Sequence, residues 1–435
     1  MLFFAGSGGF KTTSVVVPTA VKYSGPLVCL DPSSEVAPMA VAHRKAMGRR
    51  VIVLDPRSTL RDGFNVLDWI GKTKTRDEDI AAFAQMLLSE SAKINDATGT
   101  SFQNQARNLL TGLLAHVMEA PDYAGRRTLR SLREIVSQPE PNVLKALAKI
   151  QDGSASQFIR ETLGIFTNMT EQTFSGVYST ASKDTQWLSL DAYSDMVCGN
   201  TFHSADLAAG ETDVFINIPA SMLRTYPGIG RVIIGSLVNA MIQADGRHKA
   251  RAVFCLDEVD LLSYMKLLED ARDRGRKYGV TLMLFYQSVG QLERHFGKDG
   301  ATSWFEGWAF ASYAAIKSLD TARDVSAKCG DYTVEMHGES RSLDASAGFW
   351  GGKGTVSRSA QRRPLILPHE VTQTMRSDEQ IVIVHGHPPL RCGRALYFRR
   401  SDMRDLVGKN RFTGTGMVAR AESVATAPHG SAAKS

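Results

Sequence analysis

Six short apolar runs constrain this chain more than any other feature: "PLVCLDP" (26–32), "VIVLDP" (51–56), "DVFINIP" (213–219), "AVFCLDE" (252–258), "VTLMLFYQS" (280–288) and "IVIV" (381–384). Each is continuous rather than alternating, and several end in an acid or a turn residue. A strand without a polar face is buried on both sides, as in a parallel sheet covered by helices. Helix-like stretches separate many of the runs, so the sequence reads as an α/β layered fold.

The texture changes between about 78 and 205. "SFQNQARNLLTGLLAHVMEA" places Phe102, Ala106, Leu109, Leu110, Leu113, Leu114 and Val117 on one helix face, behind a serine suited to capping it. "TLRSLREIVSQ" and "PNVLKALAKI" repeat the pattern, opening on Thr128 and Pro141. Strand signals are nearly absent here. With 435 residues to distribute, the expectation is an α/β core from 1–77 and 206–405, interrupted by an inserted all-α domain at 78–205. The Gly-, Ser- and Arg-rich stretch 338–363 reads as a long mobile loop, and 406–435 as a disordered tail.

Composition narrows the class. Five cysteines without a C-x-x-C pair argue against a disulfide framework and a structural zinc, and fit a reducing cytosol. No run reaches the ~18 apolar residues of a membrane span, and the start lacks a signal-peptide pattern. A net charge of +6 points weakly to a polyanionic partner.

The stretch "LFFAGSGGFKTTSVVVPTA" (2–20) has the outline of a phosphate-binding loop. In such a loop, successive backbone N–H groups curl around phosphates at a helix start. Gly6, Ser7, Gly8 and Gly9 supply small residues, Lys11 the charge for the outer phosphates, and Thr12 a magnesium ligand, with Thr13 as the alternative. The strict G-x-x-x-x-G-K-[ST] pattern fails at Ala5 and Phe10, and a glycine-rich turn is the competing interpretation. The complementary half is an acid at the end of a buried strand. In "RAVFCLDEVDLL", Asp257 would hold the magnesium hydration shell and Glu258 would orient and deprotonate water. The competing interpretation there is a strand ending in solvated acids. Two half-signals in the right order are stronger together than either alone. Downstream, Arg272, Arg274, Arg276 and Lys277 precede a strand ending at Gln287, which could sense the nucleotide. One of these arginines could reach a neighbouring subunit's γ-phosphate. A solvated basic helix end is the other interpretation.

Taken together, "GSGGFKTTSVVVPTA", "GPLVCLDPSSEV", "VIVLDP…FNVLDWI", "FINIPASMLRTYPGIGRVIIGSLVNAM", "VFCLDEVDLL", "RGRKYGVTLMLFYQSVGQLERHFG" and "RPLILPHEV" resemble the conjugative coupling proteins of type IV secretion, the TraG/VirD-type family. The matching pieces run collinearly from residue 2 to about 400. The resemblance implies a RecA-like P-loop NTPase core with a parallel-rich central sheet and an inserted all-α domain. It also implies a hexameric ATPase using ATP and Mg²⁺ to help export relaxase-bound single-stranded DNA through the secretion channel. Lys11, Thr12, Asp257, Glu258 and Gln287 fall on the family's motif positions, and Arg276 is the choice for the arginine acting in trans. Phe10 departs from the general loop pattern, although a bulky residue there resembles a rhizobial TraG-like branch.

Family members carry N-terminal membrane helices and part of the sheet ahead of the loop, whereas Met1 to Ala5 precede it here. The resemblance therefore implies a truncated or mis-started reading frame, with the missing segment anchoring the protein at the cytoplasmic face of the inner membrane. Arg107, Lys145, Lys149 and the arginines of 341–363 are plausible DNA-backbone contacts. Two other readings remain open: a non-hydrolysing receptor joining relaxosome and channel, and a chromosome motor of the FtsK/HerA kind.

Overall fold

The computed structural model describes residues 1–412 apart from 7, 60–61, 73, 89–96 and 342–353. The chain opens on β1 (Leu2–Ala5) and continues through β2 (Leu27–Leu30) and β3 (Arg50–Leu54). It leaves the sheet at β4 (Phe64–Asn65) and returns at β5 (Gly199–Asn200), and these two short strands pair with Phe64 opposite Asn200. Next come β6 (Thr212–Ile216), β7 (Ala252–Leu256), β8 (Val280–Tyr286) and β9 (Phe310–Ala314). A ribbon of β10 (Asp331–Arg341) and β11 (Gly354–Pro364) precedes β12 (Glu379–Val384) and β13 (Leu390–Gly393).

The 9-stranded sheet runs β13-β12-β9-β1-β8-β7-β2-β6-β3. Every neighbouring pair from β9 to β3 is parallel, with Leu2 opposite both Leu284 and Ala311, and Leu30 opposite both Leu256 and Ile216. The continuous apolar runs follow from this burial. Successive side chains point to opposite faces: Val28, Leu30, Phe254 and Leu256 enter one core, while Leu27, Cys29, Val253 and Cys255 enter the other. "IVIV" behaves differently, because β12 pairs antiparallel with β9 on one side and β13 on the other, and only Ile381 and Val382 are buried. An apolar run carries no information on strand direction.

Between β4 and β5 the elements among the described residues are all helices. The helix Ala97–Glu119 buries Ala106, Leu109, Leu110, Leu113, Leu114 and Val117, and Phe102 packs against the same core. It begins before Ser101, so that serine lies inside the helix and does not cap it. The helices Leu129–Val136 and Glu140–Gly153 start next to Thr128 and Pro141. The helical stretch opens with Arg76–Leu87, which packs closely on Gly228–Gln243: a Cβ at Gly235 would lie 1.9 Å from Met86 Sδ.

At the edge where the strands begin, Asp213 is buried between two guanidiniums. Arg44 Nε and Nη2 each donate to it at 2.7 Å, Arg49 Nε donates at 2.8 Å, and the Leu27 N–H adds a fourth bond at 3.0 Å. Two expectations are corrected. The stretch 338–363 is not all loop, since β10 and β11 pair from Asp331–Pro364 to Arg341–Gly354. The tail does not start at 406, since the Gly408 N–H donates to Met39 O at 2.8 Å and Asn410 Nδ2 to Glu35 Oε2 at 3.2 Å. The rest of the expected tail, 413–435, lies outside the described residues. Among the described residues no helix is long and apolar enough to cross a membrane, and no three or more His, Cys, Asp or Glu side chains cluster so as to hold a metal ion.

Candidate nucleotide-binding site

Parallel strands deliver all their C-terminal ends to one edge, the usual place for a ligand in an open α/β sheet. That edge carries Gly6 after β1, Asp31 after β2, Asp257 after β7, Gln287 after β8 and Ala315 after β9. A cavity of ≈ 300 Å³ opens there. Gly6, Gly8, Gly9, Lys11, Thr12, Thr13, Asp257, Glu258 and Gln287 all line it, so residues distant in sequence meet at one place. Ser7 lies outside the described residues.

The loop is wound tightly. The Gly9 N–H donates to Gly6 O at 2.9 Å, and a Cβ at Gly9 would sit 2.8 Å from that oxygen and 3.0 Å from Ala5 Cβ. Gly8 has φ 73° and Phe10 φ 51°, both left-handed. The sequence pattern expects glycine at position 10 for this reason, and Phe10 adopts the same backbone at about 1–2 kcal/mol of strain. The chain then winds one wide turn of π-helix (Thr12–Val16) and runs into α-helix (Val17–Lys22). Pro18, which has no N–H to donate, sits where the ladder changes.

Lys11 Nζ donates to Ala5 O at 2.8 Å, and Thr12 Oγ1 donates to Asp257 Oδ2 at 3.2 Å. Burial pushes the Lys11 ammonium down, opposed by the nearby carboxylates of Asp257 and Glu258. Burial raises Asp257 to about 6, with Lys11 pulling it back and Asp31 and Glu258 pushing it further up. Glu258 has φ 48° and ψ 46°, a left-handed backbone in a non-glycine residue that caps β7 at the cavity wall. Asp31, the acid of "LDP", does a different job. Fully buried, it accepts from Ser33 Oγ at 2.7 Å and the Val36 N–H at 2.6 Å, fixing the Pro32–Glu35 turn that lines the cavity.

The expected trans arginine is elsewhere. Arg276 is exposed in the turn before β8, at the edge where strands begin, and does not line this cavity. Arg272 packs its guanidinium 4.7 Å from the Trp304 ring centroid and pairs with Asp273 at 2.6 Å. Of the expected DNA contacts, Lys145 and Lys149 are exposed, Arg107 is half-buried, and Arg358, Arg362 and Arg363 lie exposed on β11. Positions 342–353 are outside the described residues.

Sequence reasoning missed Arg394. It reaches across from the segment after β13, donating to Ser14 Oγ at 3.1 Å and to Gly9 O, and burial lowers it to about 10. It also missed Tyr397, Phe398, Asn410 and Phe412, which line the same cavity. The aromatic pair in "LYFRR" was the available signal.

Residues 1–419 match the family profile described as type IV secretory system conjugative DNA transfer. The chain belongs to that family. It is 58% identical over 419 residues to the type IV secretion system-coupling protein VirD4 of Bartonella henselae, covering 95% of this chain and 65% of that one. Over 420 residues it is 50% identical to the conjugal transfer protein TraG of Agrobacterium fabrum, covering 95% and 63%. The chain thus spans about two thirds of the length of these relatives. Among solved structures, the plasmid coupling protein TrwB in complex with ADP and Mg²⁺ superposes with a TM-score of 0.68 at 15% identity, covering 94% of this chain and 86% of that one. The shared fold is RecA-type, with helices around a mostly parallel sheet.

Proposed function

We propose that this chain binds ATP with Mg²⁺ in the cavity at the strand ends and hydrolyses it. It would be the motor core of a hexameric coupling protein that brings relaxase-bound single-stranded DNA to a type IV secretion channel at the cytoplasmic face of the inner membrane. One observation carries the proposal: Lys11 and Thr12 from the start of the chain converge with Asp257 and Glu258 on a single cavity. The residues present fit the ligand. The turn at Gly9 excludes a Cβ, as a loop cradling phosphates by its backbone requires, and a hydroxyl beside a carboxylate is a hard-oxygen pair suited to Mg²⁺. Bound there, Mg²⁺·ATP supplies the phosphoryl group and the neutralising charge. Lys11 would hold the outer phosphates, while Thr12, or Thr13 in its place, and Asp257 would hold the metal. Glu258 orients water and takes its proton. Gln287, just past the end of β8, reports which nucleotide is present. Arg276, outside this chain's own cavity, is assigned to a neighbouring subunit's phosphate. The names of the relatives, and the nucleotide held by TrwB, support this reading.

The test is phosphate release from ATP with and without single-stranded DNA. Hydrolysis that rises with DNA and is abolished in Lys11→Ala supports the motor. ATP bound tightly by the wild type but never hydrolysed, with or without DNA, turns the reading to a non-hydrolysing receptor.

A further inference from the structure

Gly6 and Gln287 line another cavity besides the nucleotide cavity, one of ≈ 420 Å³ at the ends of β1, β8 and β9. Its polar lining includes two cations, Arg294 and Lys317, with Ser288, Gln291, Ser318 and Thr321. Among the described residues, no Asp or Glu lines it. We infer that this cavity is a binding site for inorganic phosphate, which takes the product of hydrolysis from the nucleotide cavity beside it. The inference rests on the nucleotide reading above and adds where the cleaved phosphate goes.

Three features support it. The partition between the two cavities is thin. Gly6 contributes backbone alone, and Ala315, itself left-handed at φ 48°, brings its carbonyl oxygen to 3.2 Å from where a Gly6 Cβ would stand. The Gln287 N–H donates to Gln291 Oε1 at 2.6 Å, which ties the shared wall to the lining of this cavity. The donors are also held in place. Arg294 Nη1 donates to Asp260 Oδ2 at 3.4 Å, and Asp260 pairs in turn with His295 Nε2 at 2.8 Å. That contact fixes one corner of the guanidinium and leaves its remaining donors for a ligand. Lys317 stands just before the helix Leu319–Cys329, which Ser318 caps by accepting the Thr321 N–H at 3.4 Å. Finally, the charge matches. Inorganic phosphate is largely dianionic above neutral pH, and two cations with no carboxylate in the lining offset that charge. A DNA phosphodiester, with a single charge, matches the pair less well.

The experiment is calorimetry with inorganic phosphate on protein already saturated with Mg²⁺ and a non-hydrolysable imido analogue of ATP, so that the nucleotide cavity is filled. Wild-type protein in that state still binds phosphate. Arg294→Gln and Lys317→Gln each weaken phosphate by ~10-fold, the loss of one charge-assisted hydrogen bond. Both keep wild-type affinity for the analogue, which shows that they fold, and both need ~10-fold more added phosphate to inhibit ATP hydrolysis. If analogue-filled wild-type protein takes up no phosphate, or if both variants bind it and are inhibited by it as the wild type is, the phosphate site is overturned while the nucleotide reading stands. If a short single-stranded oligonucleotide displaces the phosphate, the cavity belongs to the DNA backbone and its assignment to the product is overturned. If the analogue itself does not bind wild-type protein, both readings fall.

Discussion

Replacing Asp257 with asparagine should make the protein inactive and more stable. The carboxyl is almost fully buried, and its titration is raised from 3.8 to about 6, chiefly by burial. Each pH unit between folded and unfolded values is worth ~1.4 kcal/mol, so ionising Asp257 inside the fold costs about 3 kcal/mol relative to the unfolded chain. The sign follows from protonation. Below about pH 4 the group is neutral in both states and contributes nothing. As pH rises through 4 to 6 the unfolded chain loses its proton first, so this group lowers stability, and above about 6 the full cost is present. The uncharged amide of Asp257→Asn would avoid that cost. It would keep an oxygen for the Glu258 N–H, which now bonds Asp257 Oδ1 at 3.0 Å, and would still face the Thr12 hydroxyl. Thermal unfolding followed by tryptophan fluorescence should show Asp257→Asn melting above the wild type at pH 7.5, with the gap closing towards pH 4.5 and no ATP hydrolysis at either pH. A variant that melts at or below the wild type at pH 7.5 would refute the burial argument.

Phe10 gives a second test: Phe10→Gly should be more stable than Phe10→Ala by about 1 kcal/mol, because alanine keeps the Cβ that strains a left-handed residue. Equal denaturation midpoints would show that the backbone there is unstrained. Arg394→Ala should weaken ATP by ~10-fold without touching the ligand, since it removes two hydrogen bonds that brace Gly9 and Ser14. An unchanged affinity by calorimetry would count against that role. Asp213→Ala leaves Arg44 and Arg49 buried without their carboxylate and should cost about 3–5 kcal/mol in chemical denaturation, although the site lies at the other edge of the sheet.

The sheet was legible because burial on both faces writes itself as unbroken apolar runs, and the strand-end acids mark where those runs stop. Direction was not legible: "IVIV" looks like its parallel neighbours but runs against β9. The phosphate half of the site could be read because its chemistry demands small residues, a cation and a hydroxyl within a few positions. Phe10 obscured it, since φ 51° can be met by a strained non-glycine residue as well as by glycine. Arg394 and Asn410 were invisible for another reason. Each acts through long-range contacts, Arg394 to Gly9 and Ser14 and Asn410 to Glu35, and neither has a local pattern to betray it. The ribbon β10–β11 was missed because 338–363 is rich in Gly, Ser and Arg, while the apolar alternation of Tyr332, Val334 and Met336 lies ahead of that stretch on β10.

Whether one triphosphate is held by both ends of the sequence is decided by measuring ATP·Mg²⁺ binding and turnover in Lys11→Ala and Glu258→Gln side by side. Wild-type protein should bind and hydrolyse ATP, Lys11→Ala should lose affinity, and Glu258→Gln should keep affinity while losing turnover. Wild-type affinity in Lys11→Ala, or undiminished hydrolysis in Glu258→Gln, would mean that these residues do not share a ligand.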